Sequence, residues 1–230
     1  MCGRFALHAH PDVVALQFGL DAAPPFEPRY NVCPGTEVLV VHAGNGGARV
    51  AAQHRWGLVP HWAKAPSIGA KLANARGESL DEKPAFRDAF RQGRCLVPAS
   101  GYFEWQSAGR ARQPWYLQPR DAPLFALAGL RAVWQGRQGT LHTVSLITTT
   151  PNRLTGRIHD RMPLILAPAD QAAWLDPASA DFASLKNLIR PYPAERMTAH
   201  AVDARVGDPR NDDPGLVRPL SGGPLQADLL

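Results

Sequence analysis

The chain has 230 residues, 45% of them hydrophobic and 20% charged, which suits one globular domain with a sizeable core and excludes a disordered chain. Its formal net charge of +5 favours polyanion partners, although an arginine-rich composition reads equally well as genomic bias. Three widely spaced cysteines without a CxxC pair favour neither a disulfide framework nor a zinc site, and no apolar run approaches the roughly 18 residues of a membrane span.

In chain order, Arg4, His8, His10 and Asp12 interrupt the N-terminus, so no signal-peptide core is read there. Val13, Val14, Leu16 and Phe18 predict a short helix over 11–20 that closes at Gly19. Four prolines make 21–35 an extended, stiff loop. Residues 37–43 and 48–57 flank Gly-Asn-Gly-Gly and predict a hairpin. The stretch 60–79 has no period and reads as an irregular loop. Pro84 suits a first helical turn, and Phe86, Ala89 and Phe90 give a helix over 84–93 one apolar face. Strands are expected over 95–106, 113–120, 123–135, 140–149 and 162–168, helices over 169–176 and 179–190, and a last strand over 197–203. The tail from Gly207 reads as loop. The sum is an α+β fold: one domain, 1–230, with a mainly antiparallel, barrel-like β core flanked by short helices.

Cys2 is the first residue with chemical promise. Removal of Met1 would leave an α-amine with a pKa near 8 beside a thiol near 8.5, a 1,2-aminothiol. Such an amine condenses with an aldehyde to an imine, and the thiol can close onto the imine carbon to give a five-membered ring. Gly3 allows close backbone approach, and the fixed cation of Arg4 is expected to lower both pKa values. An incidental cysteine near a frayed terminus is the plain alternative. In Gly-Tyr-Phe-Glu-Trp (101–105), strand alternation sends Phe103 and Trp105 to one face and Glu104 to the other. A carboxylate beside aromatic surface can serve as general acid or base. It can equally be an exposed strand residue. Trp105 can stack on a nucleobase or lie in the core. His159 can shuttle protons, with Asp160 to orient it and Arg161 to bind a phosphate. Asn74 and Arg76 stand in a polar loop whose side chains ordinarily satisfy turns.

Taken together, the segments MCGRF, RYNVCPGT, WGLVPHW, NARGES, RCLVPASGYFEW, LITTTPN and IHDRMPLIL, in that order, resemble the SOS response-associated peptidase (SRAP) family. VDARVGDPRND (202–212) resembles its C-terminal motif more weakly, and the likeness covers nearly the whole chain. The resemblance implies a catalytic set of Cys2, Asn74, Glu104 and His159 in a positively charged cleft, with no metal and no cofactor. It implies that Arg4, Arg76, Thr148 and Arg161 grip a DNA backbone, and that Pro34, Trp62 and Trp105 pack against or wedge the bases beside a lesion. It further implies a cytoplasmic monomer that removes its own Met1 and joins Cys2 to the ring-opened sugar of an abasic site in single-stranded DNA as a thiazolidine. Cys33 departs from the small residue usual in the family at that place, and is either an inert packed thiol or a second oxidisable group. Two other function classes stay open. An N-terminal-nucleophile amidohydrolase also begins Met-Cys-Gly and would attack an amide. A non-catalytic single-strand-binding module would use the same arginines and tryptophans without any need for Cys2. Cleavage of other proteins is a third possibility that the sequence leaves unproven.

Overall fold

A computed structural model describes residues 2–222 apart from 110, 138, 180 and 181. The first strand, β1 (Arg4–Leu7), precedes helix α1 (Pro11–Phe18). As expected, α1 ends at Gly19, whose left-handed φ of 64° lets its N–H reach back to Ala15 and Leu16. Val14, Ala15 and Phe18 face inward, while Val13 and Leu16 are exposed. Then come β2 (Arg29–Val32) and the predicted hairpin of β3 (Glu37–Ala43) and β4 (Arg49–Trp56). Short 3-10 turns and a three-residue strand, β5 (Asn74–Arg76), occupy the segment read as irregular loop. Helix α2 (Arg87–Gln92) is shorter than expected, with Pro84 ahead of it.

The predicted strand over 95–106 is two strands in different sheets, β6 (Arg94–Ala99) and β7 (Gly101–Ala108). At the joint, Ser100 donates its N–H to Ala6 O and its Oγ accepts from the His8 N–H. Gly101 lies so close to the Tyr116 ring that a Cβ there would sit 2.0 Å from Cζ. The close approach lets the chain turn from one sheet into the other. β8 (Ala111–Pro119), β9 (Phe125–Gly136) and β10 (Gly139–Thr149) follow much as expected. The run at 162–168 also splits, into β11 (Met162–Pro163) and β12 (Ile165–Leu166), because Leu164 donates its N–H to Ile147 O and accepts from Ala128 N. Helices α3 (Pro168–Leu175) and α4 (Phe182–Asn187) and strand β13 (Met197–Ala201) complete the chain; the expected helix over 179–190 falls partly outside the described residues.

Two sheets result. β10, β4, β3, β6 and β9 pair in turn and β9 pairs back to β10, which closes a five-stranded barrel. β5 and β11 extend from β10, and β12 from β9. β4 and β5 both run parallel to β10; the other pairings are antiparallel. The second sheet, ordered β13-β8-β7-β1-β2, lays Phe5, Leu7, Tyr102, Trp115 and Leu117 into the main core. Its other face holds Ala6, Phe103 and Tyr116, covered by Val202, Val206 and Leu216. Over 208–222 the tail is loop apart from a 3-10 turn at Pro214–Val217 and is tied down by the buried Leu216; the rest of the expected loop lies outside the described residues. No helix among the described residues is long and apolar enough to cross a membrane.

Gly101→Ala should overpack the joint and cost about 1–3 kcal/mol. Thermal melts check this, with part of the loss recovered when Tyr116→Leu removes the opposing ring.

Candidate active site

Cys2 stands at the head of β1 and is fully buried. Its carbonyl accepts a hydrogen bond from Asn74 Nδ2 at 2.8 Å, and its sulfur accepts from the Arg4 N–H. Burial first, and then the negative charge of Glu104, push the thiol pKa up. The expectation that the Arg4 cation lowers it is therefore corrected. The Arg4 guanidinium is instead bound to Asn31 Oδ1 at 2.9 Å, Val206 O at 3.0 Å and Gly207 O at 3.2 Å.

Asn74 is placed by the pairing of β5 with β10, where it lies opposite Leu146. Its Oδ1 is buried and makes no hydrogen bond to the described protein. Glu104 projects from β7 on the face opposite Phe103 and is 4% exposed. Burial raises its pKa from the ordinary 4.5 to about 7, and the charge of Asp160 adds to the rise. Tyr102, two residues earlier and on the same face, is fully buried within electrostatic reach of both Cys2 and Glu104. Nothing in the sequence distinguishes it from an ordinary strand aromatic. His159 sits in the loop before β11. Its Nδ1 accepts from the Arg161 N–H at 3.0 Å and lies 2.8 Å from Asp160 Oδ1. Burial lowers the His159 pKa. Near neutrality the site therefore pairs a carboxyl poised to give or take a proton with an imidazole that burial favours in its neutral form.

The backbone-gripping set divides. Arg76 is exposed and forms no ion pair among the described residues. Arg161 donates from both terminal nitrogens to the Glu78 carboxylate, at 2.7 and 2.8 Å, and to Thr148 O at 2.7 Å. Its charge is thus already met by Glu78, a partner that the sequence did not flag although it lies two residues past Arg76. Thr148 is fully buried, its hydroxyl donating to Ala75 O and accepting from Arg161. It sits behind Arg161 and offers no exposed hydroxyl.

The aromatic set is dispersed. Trp105 is half-buried against the Phe103 cluster, on the side of β7 away from Glu104. Pro34 is exposed in the turn before β3. Trp62 is 50% exposed on a loop fastened by Trp134 Nε1 donating to Ala63 O. Trp134 lies opposite Leu141, and Arg76 opposite Thr148, along the same strand. Cys33 is half-buried, donates to Asn31 O at 3.2 Å, and has its pKa raised by burial, as suits a packed thiol.

A model of the SOS response associated peptidase (SRAP) family matches residues 1–209, and the chain belongs to that family. The Bacillus subtilis protein YoqW, named an abasic site processing protein, is 39% identical over 222 residues, which cover 94% of this chain and 99% of the relative. Escherichia coli YedK carries the same descriptive name and is 29% identical over 227 residues, 96% of this chain and 100% of its own. A crystal structure of a Bacteroides thetaiotaomicron protein superposes with a TM-score of 0.87 at 28% identity, covering 95% of this chain and 100% of that one. The α+β, barrel-centred fold expected from the sequence is the fold of this family.

The raised Glu104 pKa has a consequence for stability. A carboxyl that is harder to ionise folded than unfolded favours the folded state below pH 4.5, and that contribution is lost as pH rises through about 7. Glu104→Gln should therefore raise Tm relative to the parent at pH 8, by on the order of 1–3 kcal/mol in stability, with the difference vanishing near pH 4.5. Melts across that range test it; a difference independent of pH would mean the carboxyl titrates normally.

Proposed function

We propose that this protein processes abasic sites in single-stranded DNA by covalent capture through Cys2, once Met1 has been removed. The observation that carries the reading is the conjunction at the head of β1. A cysteine at position 2 has its carbonyl held by Asn74 and stands beside a buried carboxyl of near-neutral pKa. The abasic-site names of YoqW and YedK support the same substrate.

The freed Cys2 amine attacks the aldehyde carbon of the ring-opened sugar. Glu104 gives and takes the proton as the carbinolamine forms and loses water. His159 assists opening of the sugar ring at its oxygen. Asn74 holds the terminus in register; its uncommitted Oδ1 is an acceptor suited to the new amine. The thiol proton then leaves, the sulfur electron pair forms the C–S bond, and the imine nitrogen takes up a proton. The product is protein plus DNA minus one water. An imine left open is prone to β-elimination and strand cleavage, so ring closure decides between capture and lyase chemistry. Single strands suit the protein because a broken base stack exposes faces on which the exposed Trp62 can stack. Arg4 and Arg76 supply phosphate contacts and make non-covalent binding fall with salt.

Intact-protein mass spectrometry, before and after mixing with a single-stranded oligonucleotide holding one abasic site, tests the reading. The expected result is loss of Met1 and an adduct of protein plus oligonucleotide minus water, absent in Cys2→Ala. A Cys2→Ala protein that still forms a heat-stable adduct would sink the mechanism. Loss of Met1 without any adduct would return attention to amide chemistry. Because Glu78 neutralises Arg161, Glu78→Gln should release that cation and tighten non-covalent binding to an intact single strand, with the salt slope steepened by about 0.7. Unchanged affinity at every salt concentration would remove Arg161 from the DNA contacts.

A further inference from the structure

Asn31 is an uncharged side chain with no surface exposure, set in β2 beside the strand that carries Cys2. Its Nδ2 donates to Val206 O at 3.2 Å, Asp208 O at 3.1 Å and Asn211 O at 2.8 Å. Its Oδ1 accepts from Arg4 Nη1 at 2.9 Å. The segment 206–212 is thereby folded around one amide. Asp212 fastens its far end by accepting from the N–H groups of Tyr30 and Asn31 and pairing with Arg29. The family match ends at residue 209, inside this strap.

Two physical points give this arrangement a role beyond packing. First, every acceptor that meets the Arg4 guanidinium among the described residues is neutral: the Asn31 amide and the carbonyls of Val206 and Gly207. The nearby carboxylate of Asp208 is committed to Arg210 at 2.6 Å. Arg29, Arg161 and Arg205, by contrast, are each paired with a carboxylate. Arg4 is thus fixed in place by neutral acceptors, with Asp208 within electrostatic reach but directly bonded to Arg210 instead. Second, Arg4 is the first residue of β1, its N–H donates to the Cys2 sulfur, and only Gly3 separates the two. Glycine adds no stiffness of its own, so the sulfur is held by the Arg4 N–H from one side while Asn74 holds the Cys2 carbonyl from the other.

We propose that Asn31 is a positioning residue for the capture reaction: through Arg4 it fixes the head of β1, and with it the reacting terminus, while leaving the cation free for a phosphate. This rests on the capture reading above. The two N–H donors of Nδ2, shared among three carbonyls of the strap, and the one acceptor for Arg4 make the amide irreplaceable by a carboxylate, which would neutralise Arg4 and face those three carbonyl oxygens.

The test is single-turnover capture at saturating abasic oligonucleotide by Asn31→Ala, Arg4→Lys and the double variant, with binding to an intact strand measured against salt. Lysine keeps the charge but lacks the planar fork whose two terminal nitrogens reach Asn31, Val206 and Gly207. Each single change should slow capture roughly tenfold or more, as expected when a reacting group is displaced by a fraction of an ångström to an ångström. The double variant should be no slower than the slower single one, because both break the same linkage. The salt slope should stay that of the parent. Parental rates in both single variants, or effects that multiply in the double, would overturn the proposal. If Asn31→Ala does not fold, Arg4→Lys decides alone, and a parental rate there overturns it. Failure of the unmodified protein to form any adduct would instead bring down the capture reading, and this proposal with it.

Discussion

The site depends on β1 being held between two neighbours. Phe5 pairs with Val32 on one side and with Tyr102 on the other, so the first strand of the chain is an interior strand of its sheet. Ordinarily the first residues of a domain fray. Here the ladder bonds on both sides, the Asn74 bond to Cys2 O and the tail around Arg4 convert the start of the chain into one of its most constrained parts. The same pairing puts Arg4 opposite Phe103, next to Glu104, so Cys2 and its carboxyl partner arrive together from residues a hundred positions apart.

Much of this was legible because the chemistry lies in short contiguous segments. The alternation around Glu104 placed it on the face opposite Phe103 without any coordinates, and the structure has that arrangement. The hairpin at 37–56, the left-handed end of α1 at Gly19 and the barrel-like core also followed from local signals. What stayed hidden was decided by tertiary contacts. β1 is four residues of no distinctive pattern, and only its two neighbours make it a strand. The continuous apolar runs at 95–106 and 162–168 carry no mark of where they change sheets, because the breaks are set by the backbone approaches at Ser100 and Leu164.

Charge was harder to read than position. A linear sequence cannot say which arginines are already satisfied. Arg4 and Arg161 look alike in that respect, yet one is held by neutral oxygens and the other by a carboxylate. Thr148 likewise carries the polar signature of a surface contact and is in fact the buried support of Arg161. The structure therefore redistributes the electrostatic work: Arg4 and Arg76 are available cations, and Arg161 is conditional on Glu78.

The ring that closes at β9 and β10 also governs when a working site can exist. β4 joins β10 across nearly ninety residues, Asn74 reaches its place only once β10 is present, and Arg4 meets Val206 across a sequence separation of 202. Contacts of such high order form late, after the loop entropy of the intervening chain has been overcome. A nascent chain emerging from synthesis thus presents its N-terminal cysteine as an ordinary residue of an unfolded peptide. The neighbours that set its reactivity are assembled only when almost the entire polypeptide has been made and folded.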